Sequence, residues 1–308
     1  MIFKKEENGN LQLVKNVGFK LEKEIQTLVE ENMETVFGLR FLETEFSIGK
    51  FRFDSVAFDE EANTFVIIED KKVENRGLVD QGYAYLKTAL DRKAELTLLY
   101  NRKMRENRGI QDFAWDEMKV YFISPEFTKF QKEAVGYDGT PFRFFTISQY
   151  RGGIIDFEEI VGDKIQENLS EIGGKNSDIK KVSREIKVYT EEYHLENADD
   201  TRRELYSALK ERATELGTFE IVPRKLYVAF KLNNKNIFDV ELQKKKLVIF
   251  INLSSGELDG KYDSSKLYVK DVSNQGHWGN GDYEVLLESK DQLDYLMPLI
   301  RKSFRKNS

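Results

Sequence analysis

Residues 51–72, with the sequence FRFDSVAFDEEANTFVIIEDKK, constrain the fold more than any other stretch of the chain. Two apolar runs of strand length lie about one hairpin apart, and the second run carries Glu69 and Lys71 out of its far end. Because strand side chains alternate between faces, Glu69 and Lys71 are expected on the same side as Ile67, with Asp70 on the other. The stretch therefore predicts a buried hairpin with charged side chains at its mouth.

Two carboxylates and one ammonium meet at this mouth, since Asp54 ends the first apolar run. Charged groups are costly to hold at the end of a buried strand unless they are paired or have a chemical task. The task that fits best is to hold a divalent metal with an activated water, which is hydrolytic phosphodiester chemistry. The alternative is a set of solvated ion pairs, each worth under about 1 kcal/mol. Such pairs are common in a chain of which 33% is charged.

The neighbouring segments predict a sheet flanked by helices. Apolar side chains recur at helical spacing over residues 19–37 and 79–93, and LRFLETEF after Gly38 predicts a strand. ELTLLYN (95–101) and MKVYFISPEF (118–127) predict two further buried strands. The order of helix, three strands, helix and two strands indicates an α/β architecture, with a mixed central sheet and flanking helices.

Over about residues 19–125 the chain resembles the PD-(D/E)xK nuclease superfamily, in its NucS-like, restriction-endonuclease-related branch. The likeness rests on LEKEIQ with Glu22, RFDSVAFD with Asp54, VIIEDK with Glu69 and Lys71, and VDQGYAYL with Gln81. The resemblance implies a restriction-endonuclease-like fold in which the three acidic residues hold metal. It also implies that Lys71 orients or activates the attacking water and that Gln81 supports the site.

The residue types agree with magnesium chemistry, and manganese is an equal choice. Mg²⁺ takes hard oxygen ligands in octahedral geometry and keeps several waters. Asp54 and Glu69 can supply one oxygen each, and the backbone carbonyl of Asp70 can supply another. Lys71 can stabilise the negative charge that develops on the phosphate.

Two of the candidate residues also have a purely structural interpretation. Glu22 is one of several carboxylates on an acidic helix face, where Glu24 or Glu30 can take its place. Gln81 lies at the start of a helix, where a polar residue needs no further explanation.

Composition excludes several classes of function. Zero cysteines exclude disulfides, thiolate metal sites and cysteine nucleophiles, and two histidines exclude a His-rich metal cluster. No apolar run has the length of a membrane span, and no secretory leader is present, so a cytoplasmic protein without membrane attachment is expected.

Net charge limits the expected affinity for nucleic acid. Residues 1–180 carry 26 Lys plus Arg against 33 Asp plus Glu, a net of −7, whereas a protein that grips a long duplex without specificity is expected to be basic. Targeting by a partner protein or by a specific nucleic-acid structure is therefore left open. One clear basic cluster is expected near the site, either contacting phosphates or forming a solvated loop: Arg102, Lys103, Arg105 and Arg108.

The chain is long enough for two domains. We expect a first domain over residues 1–160, a linker rich in Gly, Asn, Ser and charge over 161–188, and a second domain over 189–308. A helix over 191–216, a series of strands and a closing helix predict an α+β architecture for the second domain.

Residues 188–305 resemble a domain of unknown function labelled as a predicted transport protein, which is often found beside restriction-type proteins. The likeness rests on KLYVAFK, NIFDVELQKKKLVIFINL, VSNQGHWGNGDYEVLL and LDYLMPLIRKSF. Its candidate site is His277 with Trp278 on a glycine-rich loop, where a tryptophan can stack on a nucleobase. The alternative is that both are packed loop residues.

These patterns and the resemblance together predict a Mg²⁺-dependent endonuclease that hydrolyses phosphodiester bonds in DNA, in a restriction, defence or repair setting. DNA is favoured over RNA, and the C-terminal domain is expected to recognise the target or a partner protein. The resemblance also implies a homodimer. The alternative is a non-catalytic scaffold that binds nucleic acid or another ligand and retains a nuclease-like fold.

Overall fold

The computed structural model describes residues 1–72, 77–135, 137–138, 140–162, 165–168, 177–196, 198–244, 246–274 and 281–308. Contacts between residues divide the chain into two compact units, Met1–Val188 and Tyr189–Ser308. Among the described residues, no helix has the length and apolar character that crossing a membrane requires.

The strands of the first unit form one large mixed sheet and two small ones. In chain order they are β1 (Phe3–Lys5), β2 (Leu11–Leu13), β3 (Arg40–Ile48), β4 (Phe51–Asp59), β5 (Thr64–Asp70), β6 (Lys119–Ser124), β7 (Tyr137–Asp138), β8 (Phe142–Tyr150), β9 (Ile154–Glu159) and β10 (Ile165–Asn168). The large sheet has the order β3-β4-β5-β6-β8-β9, in which β5, β6 and β8 are parallel and the outer pairs are antiparallel.

Helices cover both faces of this sheet. They are α1 (Glu22–Glu31), α2 (Met33–Phe37), α3 (Leu78–Asp91), α4 (Lys93–Met104), α5 (Lys129–Ala134) and α6 (Ser177–Glu185). On one face α1 and α2 pack against Val66 and Ile68 of β5, and on the other α3, α4 and α6 pack against Phe65 and Ile67. The whole of β5 is buried, as expected for a central strand with an apolar core on each side.

The strand expected over residues 95–101 is wrong, because these residues lie in α4. Leu96, Leu99 and Tyr100 are buried, whereas Leu98 is 68% exposed. Buried positions at i, i+3 and i+4 follow the helical period, which a short apolar run does not distinguish from a strand.

The expected linker over residues 161–188 contains a helix of the first unit. Ile179, Val182 and Ile186 of this segment are buried in the core on the α3 side of the sheet. Ion pairs join Lys181 to Asp91 and Lys93 to Glu185. The first unit therefore extends well beyond residue 160.

The second unit contains an all-antiparallel sheet with helices. Its strands are β11 (Glu220–Pro223), β12 (Val228–Leu232), β13 (Lys235–Leu242), β14 (Leu247–Ile251), β15 (Tyr268–Asp271) and β16 (Tyr283–Leu287), in the order β11-β12-β13-β14-β16-β15. Its helices are α7 (Glu191–Glu196), α8 (Asp200–Thr214) and α9 (Leu293–Asn307). The single helix expected over 191–216 is thus two helices, since the Asp199 side chain caps the start of α8.

Candidate active site

Asp54, Glu69 and Lys71 meet at one end of β4 and β5. Nζ of Lys71 lies 2.6 Å from Oε1 of Glu69 and 3.8 Å from Oδ2 of Asp54. The backbone N–H of Asp70 donates a hydrogen bond of 3.1 Å to Oδ2 of Asp54. The structure therefore brings the two carboxylates and the ammonium of the sequence motif into one cluster.

At Asp54 the side chains of β4 stop alternating regularly between the two faces of the sheet. The ring of Phe53 packs against Tyr85 on α3, whereas Oγ of Ser55 donates to Glu30 on α1, on the opposite face of the sheet. Side chains two residues apart normally share a face. The residue opposite Asp54 on β3 is Glu45, which has a positive φ of 46°. The pairing register is the same on both sides of this position, and the register shift of this strand pair lies elsewhere, between Phe41 and Glu43.

Glu22 reaches the cluster from the start of α1. One of its carboxylate oxygens lies 3.7 Å from Nζ of Lys71, and the other accepts a hydrogen bond of 3.0 Å from the backbone N–H of Lys72. The two alternatives to Glu22 have other partners, because Glu24 accepts from the backbone of Lys20 and Glu30 accepts from Gln26 and Ser55.

Gln81 and Tyr85, one helical turn apart on α3, hold the Glu69 carboxylate. Nε2 of Gln81 lies 2.7 Å from Oε1 of Glu69 and 2.6 Å from the hydroxyl of Tyr85. Burial raises the pKa of Tyr85, and the nearby charge of Glu69 raises it further, so the phenol stays protonated. Sequence reasoning did not find Tyr85, although its i, i+4 spacing from Gln81 in VDQGYAYL was a usable signal.

The electrostatics of the cluster follow from its burial. Glu69 is 2% exposed, and burial together with the Asp54 charge raises its pKa from 4.5 to about 7 despite the opposing effect of Lys71. Burial also raises the pKa of Asp54. For Lys71, burial alone would lower the pKa, but the attraction of Glu69, Asp54 and Glu22 outweighs it and raises the pKa. Lys71 is therefore an ammonium at neutral pH.

Asp70 faces the opposite side of the sheet from Glu69. It is fully buried, neither of its carboxyl oxygens has a hydrogen-bond partner among the described residues, and burial raises its pKa well above the usual value. Burial therefore favours the neutral form of this side chain. Its backbone contributes to the cluster, because its carbonyl accepts a hydrogen bond of 3.1 Å from Nζ of Lys71.

A second set of hydrogen bonds fixes the backbone at Asp54. Nε2 of Gln26, on α1, lies 2.8 Å from the carbonyl oxygen of Asp54 and 2.9 Å from Oε1 of Glu30. Oγ of Ser55 donates to the same Glu30 oxygen at 2.7 Å. Gln26 lies in the LEKEIQ motif but had no predicted role.

The donor set of the cluster fits a magnesium-type ion, although no group of three or more His, Asp or Glu side chains within the described ranges is arranged to hold a metal. Among the described residues Oε2 of Glu69 is buried without a hydrogen-bond partner, and the Asp54 carboxylate and the Asp70 carbonyl both lie within 4 Å of the Lys71 ammonium that contacts Glu69. Mg²⁺ commonly takes only one or two protein carboxylates and completes its shell with water. Manganese accepts the same oxygen donors.

Two residues of the predicted basic cluster have a carboxylate partner that is not one of the candidate site residues. Arg102 and Lys103 pair with Glu43 on β3, at 3.0 and 3.2 Å. Arg105 ends α4 in a left-handed conformation with φ 58°. Arg108 hydrogen-bonds Asn63 in the β4–β5 turn, and Asn63 is six positions along the strand from Glu69, a distance of roughly 20 Å.

The remaining candidate pair, His277 and Trp278, lies in residues 275–280, outside the described residues.

One protein family and one related protein match the sequence of this chain. Residues 191–307 match the family described as "Domain of unknown function (DUF5655)". An "Uncharacterized protein" of Haemophilus influenzae (strain ATCC 51907 / DSM 11121 / KW20 / Rd) is 40% identical over 298 residues, which are 96% of this chain and 97% of that protein. The match over 191–307 confirms the expected resemblance to a domain of unknown function.

Two solved structures share a weaker likeness. They are a repair endonuclease from Pyrococcus abyssi, with 18% identity and a TM-score of 0.22, and the EndoMS–dsDNA2 complex, with 16% identity and a TM-score of 0.23. Each alignment covers 39% of this chain, and the chain spans only 43% of each solved chain. At these TM-scores the likeness carries no argument about this chain.

Proposed function

We propose that this chain, which belongs to the same family as the uncharacterized Haemophilus influenzae protein, hydrolyses phosphodiester bonds in nucleic acid with the help of a divalent metal ion. The observation that carries the proposal is the position of Lys71. Its ammonium contacts Glu69 and lies within 4 Å of carboxylate oxygens of Asp54 and Glu22, at the end of a buried strand. Holding charged side chains together at the end of a buried strand costs free energy, and such clusters are typical of functional sites.

The residues proposed to hold the ion are Asp54 and Glu69, with the backbone carbonyl of Asp70 and with Glu22 as a further carboxylate. A bound Mg²⁺ or Mn²⁺ supplies Lewis-acid polarisation of the phosphoryl group and lowers the pKa of the attacking water. Gln81 and Tyr85 position Glu69 through the 2.7 Å and 2.6 Å hydrogen bonds on α3.

Lys71 acts as a hydrogen-bond donor and a positive charge in this proposal. Because the surrounding carboxylates raise its pKa, it keeps its proton at neutral pH and is not suited to be the base. An ammonium next to the scissile phosphate orients the attacking water and stabilises charge that develops on the phosphate oxygens.

The finer parts of the proposal rest on the resemblance of residues 19–125 to PD-(D/E)xK nucleases. They are a restriction-endonuclease-like fold of the first unit, DNA rather than RNA as substrate, a restriction, defence or repair setting, and a homodimer. We also propose that residues 189–308 recognise the target or a partner protein.

The test is cleavage of a panel of plasmid, linear duplex, single-stranded DNA, mismatched or modified duplex and RNA, in Mg²⁺, Mn²⁺ or EDTA. Wild type is compared with Asp54→Ala and Lys71→Ala, and Glu24→Gln is the matched control, because Glu24 lies on the same helix as Glu22 but contacts Lys20 instead. Metal-dependent cutting that the first two substitutions abolish and the control retains would support the proposal.

A second candidate function is a scaffold without turnover, and two observations favour it. No group of three acidic or histidine side chains in the described part of the chain is arranged around a metal position, and Lys71 already neutralises part of the carboxylate charge. Absence of cutting on every substrate, with nucleic-acid binding equal in wild type and both alanine variants, would favour the scaffold.

A further inference from the structure

One side of α3 leads from the candidate active site to the opposite end of the helix. Gln81 contacts Glu69, Tyr85 packs on Phe53, and Thr88 and Arg92 lie over Gly49 in the β3–β4 turn. Positions 81, 85, 88 and 92 follow the spacing of a single helical stripe. Gln81 and Arg92 are eleven positions apart, which is about 16 Å along the helix axis.

A surface cavity of about 490 Å³ lies at the far end of this stripe. Gly49, Lys50, Thr88, Asp91 and Arg92 line it. The ammonium of Lys50 is exposed and lies over the ring of Phe51, at 5.1 Å from its centroid.

A second cavity, of about 540 Å³, lies beside the first. Lys180, Lys181, Arg184 and Glu185 of α6 line it. Lys181 of the second cavity forms an ion pair with Asp91 of the first, so the two cavities are neighbours. Together they have five basic and two acidic lining residues.

Two of the five basic groups have carboxylate partners, since Arg92 pairs with Glu95 at 2.7 Å and Lys181 pairs with Asp91. Lys180 and Arg184 are exposed, and within the described ranges neither lies within 4 Å of a carboxylate. By contrast, Arg102 and Lys103 of the predicted basic cluster share the carboxylate of Glu43. Unpaired cations on a unit of negative net charge form a local site for an anionic partner.

We propose that the cationic surface formed by Lys50, Arg92, Lys180, Lys181 and Arg184 binds the phosphodiester backbone of the nucleic acid whose scissile bond lies at Lys71. The inference rests on the proposed function, and it names the path that the substrate takes away from the site. The 16 Å of α3 correspond to roughly five base pairs of duplex at 3.4 Å per base pair. A small anion would not use both cavities, whereas a continuous backbone contacts them in succession.

The test is binding in EDTA, so that it does not depend on cleavage. The full-length Lys180→Ala, Arg184→Ala double variant is compared with wild type by fluorescence anisotropy on labelled duplex DNA, single-stranded DNA and RNA at several salt concentrations. The matched control is Lys4→Ala, Lys5→Ala, which removes the same charge from exposed lysines of β1, a strand outside the large sheet. All four positions are exposed, so melting temperatures are expected to stay unchanged.

Loss of two phosphate contacts is expected to weaken duplex binding about tenfold near 50 mM salt and to reduce the slope of log K against log salt by about 1.8. The control is expected to bind like wild type, and the nucleic acid most affected identifies the substrate. Equal affinity and slope in the double variant, equal losses in the control, or no binding by wild type would each overturn the proposal. If the double variant loses binding while wild type cleaves no nucleic acid in Mg²⁺ or Mn²⁺, the proposed binding surface is supported and the proposed hydrolysis is contradicted.

Discussion

The ammonium of Lys71 lies 2.6 Å from Oε1 of Glu69, and both side chains leave the same end of β5. The same ammonium lies 3.7 Å from a carboxylate oxygen of Glu22 and 3.8 Å from one of Asp54. One cation therefore lies within 4 Å of three carboxylates. A cluster with this excess of negative charge is expected to respond to added cations, to pH and to the loss of any one member.

Addition of Mg²⁺ or Mn²⁺ is expected to stabilise wild type, because the ion relieves repulsion between Asp54 and Glu69. At a concentration 100 times the Kd the gain is about 2.7 kcal/mol, or a rise in Tm of several degrees. A thermal-shift titration measures it, with Asp54→Ala expected to give a flat curve and Glu24→Gln to follow wild type. A flat curve for wild type would argue against a metal site, and EDTA is expected to reverse a genuine shift.

The metal-free protein is expected to lose stability as pH rises, and Glu69 is expected to contribute to this loss. Its pKa is about 7 in the folded state against 4.5 as the ordinary value, so the folded state binds more protons between these values. The Glu69 contribution is therefore fully present below pH 4.5 and is lost as pH rises through about 7, by on the order of 3 kcal/mol.

Urea unfolding of wild type and Glu69→Gln in EDTA, from pH 5 to 8, measures this contribution. The stability of wild type is expected to fall relative to the variant across this range. Parallel curves would contradict the raised pKa.

Tyr85→Phe is expected to slow cleavage about tenfold, since it removes one hydrogen bond that positions Gln81 against Glu69. Because the residue positions Glu69, both through Gln81 and through its own hydrogen bond to that carboxylate, kcat is expected to fall with little change in KM. Tyr83→Phe is the control: it makes the same chemical change on the same helix, at a ring that packs on Phe142 instead. Equal kcat values in all three proteins would remove Tyr85 from the site.

Val182→Ala is expected to lower the free energy of unfolding by roughly 2 kcal/mol, because Val182 is buried where α6 packs against the core of the first unit. Ser183→Ala, at the exposed neighbouring position, is expected to be neutral. Urea denaturation of the full chain compares the two variants. A neutral Val182→Ala would mean that residues 177–185 behave as a linker in solution.

Strand alternation was sufficient to predict much of the arrangement at β5. It places Glu69 and Lys71 on one side and Asp70 on the other, and the structure has the first two in contact. It does not predict the position of Asp54, because the irregularity opposite Glu45 breaks the alternation in β4.

The helices were harder to assign from sequence. A run such as ELTLLYN has strand-forming residues, and only the tertiary burial of Leu96, Leu99 and Tyr100 decides for α4. The polar composition around α6 concealed three buried apolar side chains at i, i+3 and i+7, namely Ile179, Val182 and Ile186. Gln26 acts through a contact between segments that lie far apart in the sequence, which no local pattern reveals.

The rate of metal-dependent cleavage by Lys71→Ala relative to wild type tests the central claim most directly. It is measured in single turnover with saturating Mg²⁺ on the substrate that the cleavage panel identifies. Loss of a charge that stabilises the transition state is expected to reduce the rate by about 100-fold or more, with nucleic-acid binding retained. A Lys71→Ala protein that cuts as fast as wild type would show that hydrolysis takes place elsewhere.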